Sequence, residues 1–479
     1  GDQPSDAPSL TASGNTVAFQ SDATNLAGAA DPNGITDVYR RTLAGLTELI
    51  SARDAGGTAG NQPSYDPSIS AGGAFVAFSS YASNLDAEVT DVNNALDVYL
   101  RGPGGIDLVS RGGGGELGTR ASSSPALTLR PSDSDVLVAF ESAAPEITGD
   151  ATGTQQIVLR NTNLGTTEVI SRNGAAVSDS YSFGVAVNED ASHVVFSTFA
   201  KNLGTPPGGD VSRVLLRERP AGTTELVSRT PAGALAADLS NSGLDRGRRS
   251  VSADGRNVVF ESDIDALLGG LPDGFSTHLF RKDLLTGAVV RVDGPNGNGG
   301  PVPASTANGA SMSSDGNVVA FATSGALDPA DGNGSTDVYV RDIAAATTRL
   351  ASRAGGAAGA VGGDESFDPA ISGDGLRIAF ESRATNLGDG DTDTSRDVHV
   401  RDLLASTTTL ISRADGPGGV EGGGVSEDAA SNADGSVIAF ESTATNLADG
   451  DTDSSSDVHV RDVAAGTTRL ASRQAADRD

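Results

Sequence analysis

An apolar run ending in Phe recurs eight times along the 479 residues, at Phe19, Phe78, Phe140, Phe196, Phe260, Phe321, Phe380 and Phe440. The successive gaps are 59, 62, 56, 64, 61, 59 and 60 residues. A period held over a whole chain means that each unit is one supersecondary element, unable to bury its face alone and stacked against its neighbours. The chain therefore reads as a single domain, residues 1–479, of eight repeats of about 60 residues.

Inside each unit an Arg follows the Phe and closes a second apolar run: Arg41, Arg101, Arg160, Arg217, Arg281, Arg341, Arg401 and Arg461. A third run, Thr-Thr-x-Leu-x-Ser-Arg, follows in most units, as at Thr348 to Arg353, Thr408 to Arg413 and Thr468 to Arg473. In the seventh unit the pattern predicts strands at about 368 to 372, 376 to 382, 397 to 402 and 407 to 413. None of these runs is long enough for a helix. Asp374-Gly375 joins the first pair, and Asp254-Gly255, Asp315-Gly316 and Asp434-Gly435 repeat it, which suits a primed hairpin turn. Aromatic residues make up only 4% of the chain, with no Trp and one Met, so the core is expected from Val, Ile, Leu, Ala and the repeated Phe. Four antiparallel strands per unit, eight times over, describe an all-β fold, an eight-bladed β-propeller. A sandwich would not repeat so regularly.

The pattern Ser-x-Asp-Gly followed by apolar-Ala-Phe-x-Ser (Ser252 to Ser262, Ser313 to Phe321, Ser372 to Ser382) resembles the PD40 repeats of TolB-like propellers over essentially the whole chain. The segment from Asn446-Leu447 to Arg461-Asp462 is similar to units of secreted bacterial PD40 proteins with Asp-rich, calcium-type loops. The resemblance implies a propeller; TolB itself has six blades and lacks this Asp-rich insertion.

Five units share the spacing Asp-x-Asn/Asp-x-x-x-Asp between the second and third strands. The sets are Asp31, Asn33, Asp37; Asp91, Asn93, Asp97; Asp331, Asn333, Asp337; Asp391, Asp393, Asp397; and Asp451, Asp453, Asp457. Oxygen ligands at loop positions 1, 3 and 7 match the first half of a calcium loop. No Glu closes the loop at position 12, so further ligands are expected from backbone, water or Asp389 and Asp449. Asp and Asn also favour turns for their own sake, but turn chemistry does not demand a constant spacing, and clustered carboxylates repel without a cation. About five structural calcium sites are thus expected, with affinity of roughly 10⁻⁴ to 10⁻³ M, the range filled outside cells. Units three, four and five carry Gln156, Arg213 and Thr277 where the last Asp is expected. On a closed ring the five Asp units fall on one arc.

The net charge of −30 repels phosphate backbones and anionic headgroups, which argues against nucleic acid and membrane surfaces as partners. Absence of Cys removes disulfides and thiol chemistry. No apolar run approaches the roughly 18 residues of a membrane span, and no basic-then-apolar signal segment follows Gly1, so a mature or trimmed chain is expected.

Strand alternation puts the Asp loops on the same rim as the Gly-rich connections between units, such as Gly112 to Gly115, Gly355 to Gly363 and Gly416 to Gly424. Loops of that kind carry binding residues or serve as flexible linkers. His399 and His459 stand where other units have Tyr39, Tyr99 and Tyr339, and His193 and His278 make no catalytic pattern. No nucleophile elbow or phosphate loop appears. Arg246, Arg248 and Arg249 form a basic cluster, and Tyr65 and Phe367 precede Asp-Pro where they could stack on sugars. The expectation is a non-enzymatic binding or scaffold module, extracellular, cell-surface or periplasmic, with a protein or glycan on its loop face. The alternatives are a propeller polysaccharide lyase or hydrolase and a surface-layer or appendage subunit.

Overall fold

The computed structural model describes residues 1–27, 31, 33–53, 57–130, 135–204, 211–229, 240–241, 250–262, 267, 277–297, 307–388, 390–448, 451 and 453–474. Its strands form eight four-stranded sheets, each paired in chain order within one repeat, and a short two-stranded hairpin. Blade seven is typical: Ser366–Ile371, Arg377–Ser382, Asp397–Asp402 and Thr407–Leu410, all antiparallel. The one helix among the described residues is the single turn Pro145–Thr148, so none of them forms a helix long and apolar enough to cross a membrane. The eight-bladed propeller expected from the period is the observed fold.

The recurring letters of the repeat each have a structural cause. The Phe is fully buried and in six blades stacks on the third-strand aromatic directly across, with centroids 5.8 Å apart for Phe19 and Tyr39 and 5.7 Å for Phe380 and His399; Val158 and Leu215 stand across from Phe140 and Phe196. The Ser two residues on pairs with the first-strand Ser, as in Ser366 and Ser382 at 2.9 Å, and accepts the amide of Ala384, so two buried hydroxyls satisfy each other. The Arg that ends the third strand reaches back to the previous blade: Arg401 donates to the carbonyls of Ala354 at 3.0 Å and Gly356 at 2.9 Å, and Arg461 to Arg413, Ala414 and Gly416. The second Thr of Thr-Thr shares that task, with Thr468 donating to the Arg413 carbonyl at 2.5 Å. Most blades are therefore stapled to their predecessor by a buried cation whose partners are backbone dipoles; in blade four Arg217 instead meets the Glu168 carboxylate of blade three, 3.6 Å away.

A second staple lies in the first strands. A bulge there places a residue at positive φ: Ala7 at 53°, Asp66 at 56°, Asp368 at 48° and Asp428 at 51°. Left-handed backbone costs about 1–2 kcal/mol for a residue with a Cβ. The freed amide is taken by a second-strand side chain of the preceding blade, Gln20 for Asp66, Glu381 for Asp428 and Glu441 for Ala7, at 2.9, 2.8 and 2.7 Å.

The same contacts close the ring. Ala7 receives its cap from blade eight, the Ser5 amide donates to the Ser456 carbonyl at 2.6 Å, and the Gly1 nitrogen meets the Ser472 carbonyl at 2.6 Å. One core cluster joins Val17, Phe19 and Tyr39 to Val437, Ala439, Val458 and Val460. Every blade is complete within its own repeat, so no strand is exchanged at the seam.

Two expectations change. The Asp-Gly turns are not primed pairs: only the Gly has positive φ, 73° at Gly375, in a turn closed by the Gly375 amide on the Ser372 carbonyl, while Asp374 caps the Leu376 amide. In blade five the third strand opens at His278, 18 residues after Phe260, as it opens at Asp37, 18 residues after Phe19, in blade one. His278 there pairs with Ser262 as Asp397 pairs with Ser382, so His278 replaces the last Asp, where the spacing pointed to Thr277. The staple position likewise falls to Lys282, where the spacing pointed to Arg281, and Lys282 reaches the Leu226 and Val227 carbonyls of blade four.

Candidate metal centres

The last Asp of each loop opens the third strand and is held by the Ser two residues past the end of the fourth. Ser51, Ser110, Ser352, Ser412 and Ser472 donate to Asp37, Asp97, Asp337, Asp397 and Asp457, at 2.5 to 2.6 Å. Each Ser also accepts the amide of the residue following its Asp, such as Val398 at 3.0 Å. These aspartates are buried, and burial pushes Asp37 up to about 8, Asp97 to about 7, Asp337 to about 6 and Asp397 to about 8.

Around this shared frame the five loops divide into two kinds. In blades one, two and six the Asn amide bridges the second oxygen of the Asp to a backbone carbonyl in the following connection. Asn33 donates to Asp37 at 3.1 Å and Gly60 at 2.9 Å, Asn93 to Asp97 and Gly118, and Asn333 to Asp337 and Gly362. Its own oxygen accepts the amide two residues on, Ile35, Ala95 or Ser335, so flipping the amide would set like dipoles against one another. The first Asp accepts the hydroxyl of the buried Tyr: Tyr39 on Asp31, Tyr99 on Asp91 at 3.4 Å, and Tyr339 on Asp331. Burial and the neighbouring aspartates hold these phenols well above their ordinary range. In blades one and two all four carboxylate oxygens have a donor.

In blades seven and eight both donors are gone, because Asp393 and Asp453 replace Asn and His399 and His459 replace Tyr. Asp393 and Asp453 now accept the amides of Ser395 and Ser455. Asp391 Oδ1, Asp397 Oδ2 and both oxygens of Asp451 are buried without a hydrogen-bond partner. Burial raises Asp451 to about 6, with Asp457 adding like charge. Among the described residues one group places three carboxylates together: oxygens of Asp391, Asp397 and Glu421 lie within 4.8 Å of one another. Glu421 comes from the connection after the fourth strand, where it bridges Arg413, and its carboxylate accepts the amide of Thr392 at 3.0 Å and that of Asp393, 28 residues before it, at 3.3 Å. The Glu absent from loop position 12 is thus supplied by the adjacent connection. In blade eight the Gly1 nitrogen approaches Asp457 at 3.4 Å. Asp389 and Asp449 lie outside the described residues, as do Arg246, Arg248 and Arg249.

The remaining three blades keep the frame and change its chemistry. Gln156 accepts from Ser171 at 2.7 Å and donates to the Ser178 carbonyl at 3.0 Å, doing the work of both Asp and Asn. Arg213 is buried at the same position in blade four. In blade five the pair becomes His278 and Asp293, 2.6 Å apart, with Arg291 beside them. His193 hydrogen-bonds Ser192 at a strand start. Phe367 lies under the Arg396 guanidinium, 4.6 Å from the ring centroid, so that face is covered.

The bases of the Gly-rich connections meet the Asp loops, through the Asn33–Gly60 and Thr392–Glu421 contacts, while the Gly356 and Gly416 tips reach Ser406 and Gly466 in the turns between the third and fourth strands of the next blade, at the other end of the strands. They are folded structures. Arg353 and Arg413 clasp the carbonyls of Gly359 and Gly419, and the Gly356 and Gly416 amides bond the next blade. A Cβ on Gly359 would stand 2.0 Å from the Ala354 carbonyl oxygen, which is why Gly recurs there. With blade eight closed on blade one, the five Asp loops form one contiguous arc of their rim.

No protein-family model matches the chain, and no curated protein matches it in sequence. In structure it is similar to TolB from Acinetobacter baumannii, at 14% identity and a TM-score of 0.33, over 66% of this chain and 62% of that one. It is also similar to a prolyl endopeptidase, at 12% identity and a TM-score of 0.48 over 93% of this chain and 55% of that one. An oligogalacturonate lyase in complex with manganese gives 11% identity and a TM-score of 0.42 over 81% of this chain and 85% of that one. The chain thus spans less than two thirds of the TolB and endopeptidase chains. The propeller assignment stands on the eight sheets themselves, and no neighbour's activity is carried to this chain.

Proposed function

We propose that this propeller is a non-enzymatic binding or scaffold module that works outside the cytoplasm, extracellular, at the cell surface or in the periplasm, with calcium filling Asp loops on its partner-facing rim. The observation that carries this reading is the set of buried carboxylate oxygens in blades seven and eight that no protein group satisfies. Buried unpaired carboxylates are costly, and a hard divalent cation is what an all-oxygen loop at that spacing accommodates. The loops of blades one, two and six hold the same frame by hydrogen bonds and stand without a cation, so calcium here is a reinforcement of one arc. That arc also carries the bases of the ordered connections, and a protein or glycan partner would meet both together.

Thermal melts in millimolar calcium and in chelator test the reading. A melt lowered by chelation, and restored by calcium but not by sodium at equal ionic strength, is expected. Identical melts in both would remove calcium and with it the argument for an extracytoplasmic location.

A further inference from the structure

Glu421 is held from two blades at once. Its carboxylate accepts the Thr392 amide and hydroxyl at 3.0 and 2.9 Å, and the Asp393 amide at 3.3 Å, in the Asp loop of blade seven. Its backbone carbonyl accepts the side-chain amide of Asn446, just past the second strand of blade eight, at 2.7 Å. The Asn446 oxygen in turn accepts the Gly423 amide at 3.0 Å. The connection closes on itself beside these contacts, with the Ala414 amide on the Val420 carbonyl and the Gly422 amide on the Ser412 carbonyl.

Oxygens of Asp391, Asp397 and Glu421 lie within 4.8 Å of one another. Two oxygens on one calcium ion, each about 2.4 Å from it, stand at most about 4.8 Å apart, so the pairwise spread falls within what one such ion spans. Asp391 is 6% exposed and Asp397 fully buried, and Asp391 Oδ1 and Asp397 Oδ2 have no hydrogen-bond partner. Ser412 fixes the other oxygen of Asp397, so these donors are placed by the fold beforehand. The ligand set draws on two segments, the Asp loop and the connection, and the second segment is gripped by the next blade.

We propose that calcium at blade seven is a clasp across the junction of blades seven and eight: Asp391 and Asp397 bind it from the Asp loop, Glu421 binds it from the connection, and Asn446 is the positioning residue that holds Glu421 from blade eight. Occupancy of the site and order of the connection are then one coupled equilibrium. Coupling is reciprocal, so the factor by which losing Glu421 weakens calcium binding is the factor by which bound calcium opposes opening of the connection. Blade six shows the same grip without the ligand: Asn386 donates to the Val361 carbonyl at 2.8 Å, and Val361 stands at the register of Glu421, each bridging to the Arg before it. The proposal rests on the reading that this Asp loop takes calcium.

The test uses the full chain with calcium as probe, in an Asp451→Asn background that removes the related site in blade eight. Titration calorimetry reads the affinity, and hydrogen exchange with mass spectrometry reads opening of residues 414–424, with 354–363 of the preceding connection as internal control. Glu421→Gln keeps an oxygen for the loop amides and drops the charge, and Asn446→Ala releases the grip. Each should weaken calcium binding about tenfold. Saturating calcium should slow exchange in 414–424 by the same factor of about ten, leave 354–363 unchanged, and lose its effect in Glu421→Gln. An unchanged cooperative melt of Glu421→Gln in chelator confirms folding. Calcium bound as tightly after Glu421→Gln, or exchange that calcium leaves alone or slows equally in both connections, would overturn the proposal and leave an ion held by the Asp loop by itself. No calcium bound in this background would overturn the reading of blade seven in the proposed function as well.

Discussion

Asn333→Asp converts the loop of blade six into a carboxylate loop like that of blade seven, and its cost follows from the contacts of one amide. Asn333 donates to Asp337 at 2.9 Å and to the Gly362 carbonyl at 2.8 Å. An Asp there leaves the Gly362 carbonyl without its donor, worth about 1–3 kcal/mol for a buried group. It also sets two carboxylates side by side. Their repulsion is capped by the price of protonating one, and Asp337, pushed up to about 6 by burial, takes a proton at pH 7 for about 1 kcal/mol. The sum is about 3 kcal/mol in the absence of metal. For a 479-residue ring unfolding as a unit, the unfolding entropy is about 1 kcal/mol per kelvin, so the melt should fall by about 3 °C. The assay is a calorimetric melt in chelator. Adding Val361→Glu, which supplies the counterpart of Glu421, should create a melt that rises on adding divalent cation, a response the parent blade lacks. A melt for Asn333→Asp in chelator equal to the parent's would refute the reasoning, since the amide would then not be what satisfies Asp337.

The staples and caps give further tests. Arg401→Met removes donors to Ala354, Gly356 and Thr408 in a buried setting, and should destabilise by about 2–4 kcal/mol, read from urea unfolding, because charge-assisted bonds to backbone are lost and their carbonyls are left unpaired. Burial raises Glu381 to about 8 and Glu441 to about 9. A carboxyl whose folded pKa is raised contributes stability that is fully present below its unfolded value near 4.3 and is lost as pH rises through the folded value. Stability of the metal-free protein should therefore fall between about pH 4 and 9, and Glu381→Gln with Glu441→Gln should make that slope shallower, because Gln20 already makes the same cap in blade one, while the buried Asp37, Asp97 and Asp397 keep part of it. A slope unchanged in the double variant would assign the pH dependence elsewhere.

The fold was legible because the repeat is dense: Phe, Ser, Arg and Thr each recur, and each makes one contact common to most blades. Three strands of blade seven fall within about two residues of where the pattern put them, and the fourth, Thr407–Leu410, ends three residues earlier than expected. Register in blade five was not legible, since the distance from the Phe to the staple residue varies between blades, 20 residues from Phe140 to Arg160 and 23 from Phe78 to Arg101, and from Phe260 both Arg281 and Lys282 fall inside that range. The Asp spacing located the loops but treated Asn and Asp as equivalent oxygens. In the fold Asn33 turns its nitrogen toward Asp37, because the Gly60 carbonyl waits on the same side. Glu421 was invisible from loop spacing, as it arrives from another connection, 28 residues after Asp393. The one available signal was that Glu421 stands where Val361 stands in blade six, in the only two connections of near-identical length and glycine pattern. The glycine connections looked like linkers because the clasps that order them are single Arg side chains reaching backbone carbonyls.

Cation stoichiometry tests the account most directly. Equilibrium dialysis of the full chain against millimolar calcium, followed by elemental analysis, should give two bound cations per chain, lost in turn with Asp397→Asn and Asp451→Asn, the residues whose buried oxygens lack partners in blades seven and eight. No bound cation would contradict the metal reading altogether, and five, one per Asp loop, would contradict the division between hydrogen-bonded and metal-filled blades.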